Sequence, residues 1–167
     1  MLIREATISD AMGIAQVMHT IDEIKVAIGD TLDETCTRVE RAISTAITTG
    51  ASTILVGITS EGLIVAYCAV HWVPFVFLSG PEAYISELFL RPDVRGSGLG
   101  AALLKEVRSR AALRGCSRIS LLNHRERESY QRCFYAKQGF QEREQMANFI
   151  LPMTTPNNAS SMKDRRS

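Results

Sequence analysis

The sequence predicts an α/β (α+β) domain: a mixed β-sheet flanked by helices. Three observations predict it. Two amphipathic helical stretches occupy about residues 10–28 and 31–50. A hairpin rich in β-branched residues follows over 53–59 and 63–73, joined by Ser60-Glu61-Gly62. A strand, a glycine turn and a strongly periodic helix then succeed one another between residues 82 and 114.

Taken in order, residues 2–6 are short and partly apolar and read as a first strand. Ser9 or Asp10 can cap a helix by accepting its orphan N–H bonds. Met12, Ile14, Ala15, Val17, Met18 and Ile21 give that helix an apolar side, which Ile24 and Ile28 extend to the break at Gly29-Asp30. A second helix starts after Thr31 or Asp33. Leu32, Cys36, Val39, Ile43, Ala46 and Ile47 recur every three or four residues, and Gly50 ends the pattern. After the hairpin, Pro74 stops ladder pairing, residues 75–78 read as strand extension or loop, and Ser79-Gly80-Pro81 is a turn. Residues 82–90 form the next strand. A helix over about 98–114 repeats Leu99, Leu103, Val107 and Ala111, and Gly115 can close it. Residues 118–122 make a short strand, whose pairing across a helix should be parallel and right-handed. A helix over 128–138, closed by Gly139, and strands over 140–143 and 145–151 complete the domain. The domain is read as residues 1–152, and 153–167 as a polar, basic, disordered tail.

The stretch Arg95-Gly96-Ser97-Gly98-Leu99-Gly100-Ala101 carries the chemistry. Three glycines let the chain curl and expose backbone N–H groups. The first N–H groups of a helix have no helical partner, and that end is positive. A strand, a glycine turn and a helix start form a seat for phosphate, and Arg95 adds a fixed charge. A Walker A loop is absent. A dinucleotide fingerprint matches formally at Gly96, Gly98 and Ala101, but the next strand leads into Asn123-His124 with no acid at its tip. The remaining pattern is [QR]-x-x-G-x-[GA], filled by Arg95, Gly98 and Gly100.

With its flanks, Glu87 to Gly100, this turn resembles the cofactor strand and pyrophosphate loop of the GNAT superfamily of acyl-CoA N-acyltransferases. Phe134-Tyr135-Ala136-Lys137-Gln138-Gly139-Phe140 resembles the family's F-Y-x-x-x-G-F segment, in the family's order and at a typical separation. The resemblance is specific over residues 84–141. It implies a GNAT fold whose sheet splays centrally, where the pantetheine arm of acetyl-CoA lies. It implies that the backbone of Leu88, Phe89 and Leu90, at a kink, binds the thioester and pantetheine. Residues 95–101 would hold the pyrophosphate.

Acyl transfer to an amine needs a base, oxyanion donors and an acid for the leaving thiolate. Glu87 is the candidate base. In an alternating strand it shares a face with Phe89, while Ser86, Leu88 and Leu90 share the other. Its residue type alone also fits a structural partner of an arginine. The resemblance places Tyr135 at the sulfur, and a phenol, neutral at pH 7, can protonate a thiolate. Many relatives carry Asn about seven residues before this tyrosine. Here the position is Glu128, whose carboxylate would accept from a pantetheine amide. Direct attack in a ternary complex follows, since no cysteine is placed by a motif as an acyl carrier. A non-catalytic acyl-CoA-binding or sensing module, and a regulator that uses the loop for NAD, remain alternatives.

The composition narrows partners and setting. The 167 residues, 46% hydrophobic and 22% charged, are ordinary for one globular domain. A net charge of +1 argues against general nucleic-acid binding. The three histidines are scattered, so no metal cluster is expected. Four cysteines, without C-x-x-C, read as reduced thiols. The longest apolar run, 63–78, is broken by His71 and Pro74 and is too short to span a membrane. Met1-Leu2-Ile3-Arg4-Glu5 has no signal core, so a cytoplasmic setting is the expectation. The acceptor, a small-molecule or peptide amine, is not legible; His71, Trp72, His19, Asp22 and Glu23 are considered for its pocket. A homodimer is the commonest option among soluble oligomers.

Overall fold

A computed structural model of the chain describes residues 1–153, and for Glu23, Ala27 and Ile28 it describes the backbone alone. The chain divides into two compact units, Met1–Arg127 and Glu128–Ser167. The first holds a five-stranded sheet of order β1 (Leu2–Glu5), β2 (Ser52–Ile58), β3 (Ile64–Val73), β4 (Glu82–Leu90) and β5 (Arg118–Leu121). β1 to β4 pair antiparallel, and β4 and β5 run parallel. The helices are α1 (Ala11–His19), α2 (Asp22–Ile28), α3 (Leu32–Thr49) and α4 (Leu99–Leu113). The mixed sheet with flanking helices is the architecture the sequence predicts.

Register decides which side chains share a face. Val56, Tyr67 and Phe89 are aligned across β2, β3 and β4. They pack with Ile14 and Val17 of α1 and Val39 and Ile43 of α3. The neighbouring positions face the other way. Gly57 lies beside Ala66 there, and an added Cβ would stand 3.1 Å from both methyls of Leu99. Leu99, Leu103, Leu104, Val107 and Ala111 of α4 are buried. Each fully buried leucine contributes about 2 kcal/mol of transfer free energy, so α4 is anchored by its apolar side.

The helix ends follow local chemistry. Thr31 Oγ1 accepts from Glu34 N–H, and Glu34 returns its carboxylate to Thr31 N–H. This reciprocal box starts α3. Asp10 occupies the position before α1, as expected, but does not cap it. Its carboxylate takes Arg4 through two bonds, at 2.6 and 2.8 Å, and Thr7 N–H at 2.7 Å. A bidentate cation outcompetes a helix amide for those oxygens. The first apolar stretch is also two helices rather than one. Thr20 Oγ1 bonds Val17 O, and the buried Ile21 is extended between α1 and α2. Residues 75–78 are loop.

The second unit departs most from expectation. The helix expected over 128–138 is two short turns, α5 (Glu128–Gln131) and α6 (Phe134–Lys137). They are separated at Cys133, whose φ of 54° is left-handed and cannot continue a helix. Neither expected strand, 140–143 nor 145–151, forms among the described residues; the segment is turn and irregular chain, exposed from 141 to 153. Its apolar residues supply strand propensity, but a strand exists only where a ladder partner accepts it. The tail expected over 153–167 lies, from residue 154 on, outside the described residues.

Candidate active site

The site begins where β4 outruns β5. β5 pairs with β4 only from Glu82↔Arg118 to Ile85↔Leu121, and β4 continues to Leu90. A fork therefore opens beside residues 86–90. On its other edge β4 stays paired with β3 throughout. Arg91 N–H bonds Val65 O across that edge. Backbone groups alternate sides along a strand, so those of Phe89 face β3, and those of Leu88 and Leu90 face the fork. Leu88 and Leu90 thus present amide and carbonyl groups there, and Phe89 does not.

The irregularity in β4 is a bulge, and it lies at Ser86 rather than at Leu88–Leu90. Ala69 faces Glu87, but Val70 faces Ile85, so Ser86 is the extra residue. A bulge turns the strand and re-aims side chains. It moves Ser86 onto the Glu87 face, where Ser86 Oγ lies 2.9 Å from His71 Nε2. Strict alternation, which puts Ser86 with Leu88 and Leu90, fails at this residue.

Glu87 lies half-buried on the face it shares with Phe89. Its Oε2 accepts a 2.7 Å hydrogen bond from Tyr67 Oη. Tyr67 is 2% exposed, and its ring centroid is 5.8 Å from that of Phe89. Burial, with the Glu87 charge added, pushes the Tyr67 phenol well above its ordinary range, so it stays a neutral donor. On the opposite face, burial first and Glu87 second push the Cys68 thiol up to about 12, which keeps it inert as a nucleophile. The Arg127 guanidinium lies over the Phe89 ring, 5.3 Å from its centroid.

The glycine turn follows β4 directly. Gly96 and Gly98 have φ of 80° and 84°, and Gly98 is the residue before α4. No side chain caps that helix start. A Cβ added at Gly96 or Gly98 would meet no atom within 4 Å, so there is open space beside both glycines. Among the described residues, the N–H groups of Gly96, Gly98, Leu99, Gly100 and Ala101 have no backbone acceptor. Ser97 N–H reaches Val94 O at a long 3.4 Å. Arg95 is exposed and has no ion-pair partner among the described residues, whereas Arg91 is bound to Asp93. Donors, dipole and a cation meet at one accessible place.

Of the residues singled out from the sequence, Leu88, Leu90 and Arg95 to Ala101 belong to the fork and the turn that follows it. Tyr135 and Glu128 belong to the second unit. Tyr135, on α6, packs edge-on against Phe134 and Phe140. Glu128, at the start of α5, is exposed. His71 meets Ser86 and lies 6.4 Å from the Tyr84 ring. Trp72 points to the other face, bonded to Thr53 and covered by Arg114. His19 is held by Thr35, Asp22 is exposed, and the Glu23 side chain lies outside the described residues. Two participants are new, Tyr67 and the bulged Ser86. A hydroxyl in the aliphatic run Ile64-Val65-Ala66-Tyr67-Cys68-Ala69-Val70 was a signal, because a buried phenol requires an acceptor.

A strand that leaves its neighbour, followed by an open glycine turn and a helix start, matches a known pattern at the sequence level too. The family model described as the Acetyltransferase (GNAT) family matches residues 21–140. The chain belongs to the GNAT acetyltransferase family. No curated protein matches the sequence. Solved structures share the GNAT fold. A transcriptional regulator from Bacillus halodurans C-125 is 22% identical with TM-score 0.79, covering 91% of this chain and 99% of its own. An acetyltransferase from Trypanosoma brucei is 20% identical with TM-score 0.70, covering 90% and 99%. A predicted acetyltransferase with acetyl-CoA from Clostridium acetobutylicum is 18% identical with TM-score 0.67, covering 89% and 95%. As a GNAT protein the chain is an acyltransferase. Among the described residues no helix is long and apolar enough to cross a membrane, and no three His, Cys, Asp or Glu residues group to hold a metal.

Proposed function

We propose that the protein transfers an acetyl group from acetyl-CoA to the primary amine of a small-molecule or peptide acceptor, within a ternary complex. The observation that carries this reading is the open turn at Gly96–Gly98, placed where β4 ends beside the fork. Acetyl-CoA would supply the thioester. The loop N–H groups and Arg95 bind the diphosphate. Leu88 and Leu90 offer backbone donors along the fork, one to the charge that develops on the carbonyl oxygen. Glu87 takes the amine proton, through water. Tyr135 gives the proton that the departing sulfur needs, on the strength of the F-Y-x-x-x-G-F resemblance. Glu128 accepts from a pantetheine amide. Direct attack is preferred over a cysteine-bound acyl group because no cysteine is placed by a motif as an acyl carrier.

The test is release of free thiol from acetyl-CoA across a panel of amines: polyamines, aminoglycosides, amino acids and peptides with free N-termini or lysines. Amine-dependent release by at least one class supports the reading. Tight acetyl-CoA binding without turnover on any of them would instead favour an acyl-CoA-sensing module.

A further inference from the structure

We infer that Tyr67 is a positioning residue for acyl transfer: its hydroxyl holds one carboxylate oxygen of Glu87 and leaves the other to receive the proton. The inference rests on the reading of Glu87 as base and adds a second residue to it. A glutamate on a strand can take several staggered rotamers, so its partners decide among them. Here Oε2 is tied at 2.7 Å to a phenol whose ring is fixed in the core by Val56, Ile14 and Phe89. Among the described residues Oε1 has no hydrogen-bond partner. The two oxygens are therefore unlike, one committed to the core and one half-exposed on the Glu87–Ser86 face.

Other groups around Glu87 are otherwise engaged. On β3, Cys68 is a neutral thiol on the far face, and His71 is held by Ser86. On β5, Arg118 binds Glu82 of β4 at the end of the β4–β5 seam that lies away from the fork. On α1, His19 is bonded to Thr35. Arg127 lies over Phe89. On α4, across the sheet, Arg110 is paired with Glu106 and with Glu5 of β1. Tyr67 is thus the described residue that hydrogen-bonds the carboxylate.

Tyr67→Phe keeps the ring and removes the hydroxyl, so it separates packing from donation. The experiment measures kcat and the KM for acetyl-CoA of the full-length protein, of Tyr67→Phe, of Glu87→Gln and of the double variant. The expected result is a kcat about tenfold lower in Tyr67→Phe, with the KM for acetyl-CoA within about twofold, and no further loss when Tyr67→Phe is added to Glu87→Gln. A purely structural tyrosine would cost the same factor in both backgrounds. If Glu87→Gln lowers the rate and the Tyr67→Phe kcat does not move, only the inference about Tyr67 falls. If Glu87→Gln keeps the wild-type rate, the base assignment itself falls, and the role of Tyr67 with it.

Discussion

Glu82 of β4 binds both Arg118 and Ser120 of β5, one carboxylate oxygen to each. Glu82 is 6% exposed, and its strand pairs with β5 for just four residues. The ion pair therefore ties the end of the β4–β5 seam that lies away from the fork. Glu82→Ala would leave the Arg118 guanidinium without its buried partner and Ser120 without an acceptor. The expected cost is about 2 kcal/mol, below that of a fully buried pair because Arg118 is partly exposed. Urea unfolding of wild type and variant measures it, and an unchanged midpoint would show that the β4–β5 seam holds without this clamp.

Gly98→Asp is expected to weaken acetyl-CoA binding by at least about tenfold, by placing a like charge against the diphosphate at a helix start. Gly98→Ala separates charge from conformation. It strains a φ of 84° at a cost of about 1–2 kcal/mol but has open space around its Cβ. Arg95→Ala should weaken binding more modestly and flatten its dependence on salt. Calorimetric titration with acetyl-CoA at two ionic strengths reads all three. Equal affinity across the set would remove the turn from the binding site.

Stability should fall in acid through the Arg4–Asp10 pair. The Arg4 guanidinium, helped by Thr7, holds the Asp10 carboxyl down at about 2, against an ordinary 3.8. A group lowered in the folded state stabilises it above the unfolded value, and that contribution is lost as pH drops from about 4 through 2. The share at neutral pH is about 1–2 kcal/mol. Asp10→Asn should flatten the stability profile between those limits, as read by thermal melts at a series of pH values. A parallel, merely shifted profile would assign the acid sensitivity elsewhere.

Tyr135→Phe should lower the acyl-transfer rate by about a hundredfold, the contribution expected of a placed proton donor. Acetyl-CoA affinity should be retained, because the ring remains. A rate that is unaltered at every pH would end the proton-donor role.

The sequence displayed most of the first unit and little of the second, for identifiable reasons. The α3 and α4 helices carry their own period, and their ends are written in Thr31, Gly50, Gly98 and Gly115. The glycine turn is a contiguous motif, so seven residues in a row exposed it. The bulge at Ser86 depends on register against β3, which local sequence does not encode. The Tyr67–Glu87 bond joins positions 20 apart, and only strand pairing brings them together. Residues 145–151 look like a strand because Met146, Phe149, Ile150 and Leu151 are apolar, yet all are exposed. Propensity there names a conformation without supplying a neighbour to stabilise it. Cys133 hides the break between α5 and α6, since a left-handed cysteine leaves no compositional mark as glycine would.

The early end of β5 has a mechanical consequence. A slender molecule lying alongside Leu88 and Leu90 would break no rung between β4 and β5, because the two strands are not paired there. Its arrival and departure would then leave that ladder whole. Amide exchange at Ile85, inside the seam, should stay slow whether or not such a guest is present, while Leu88 and Leu90 gain protection on its arrival.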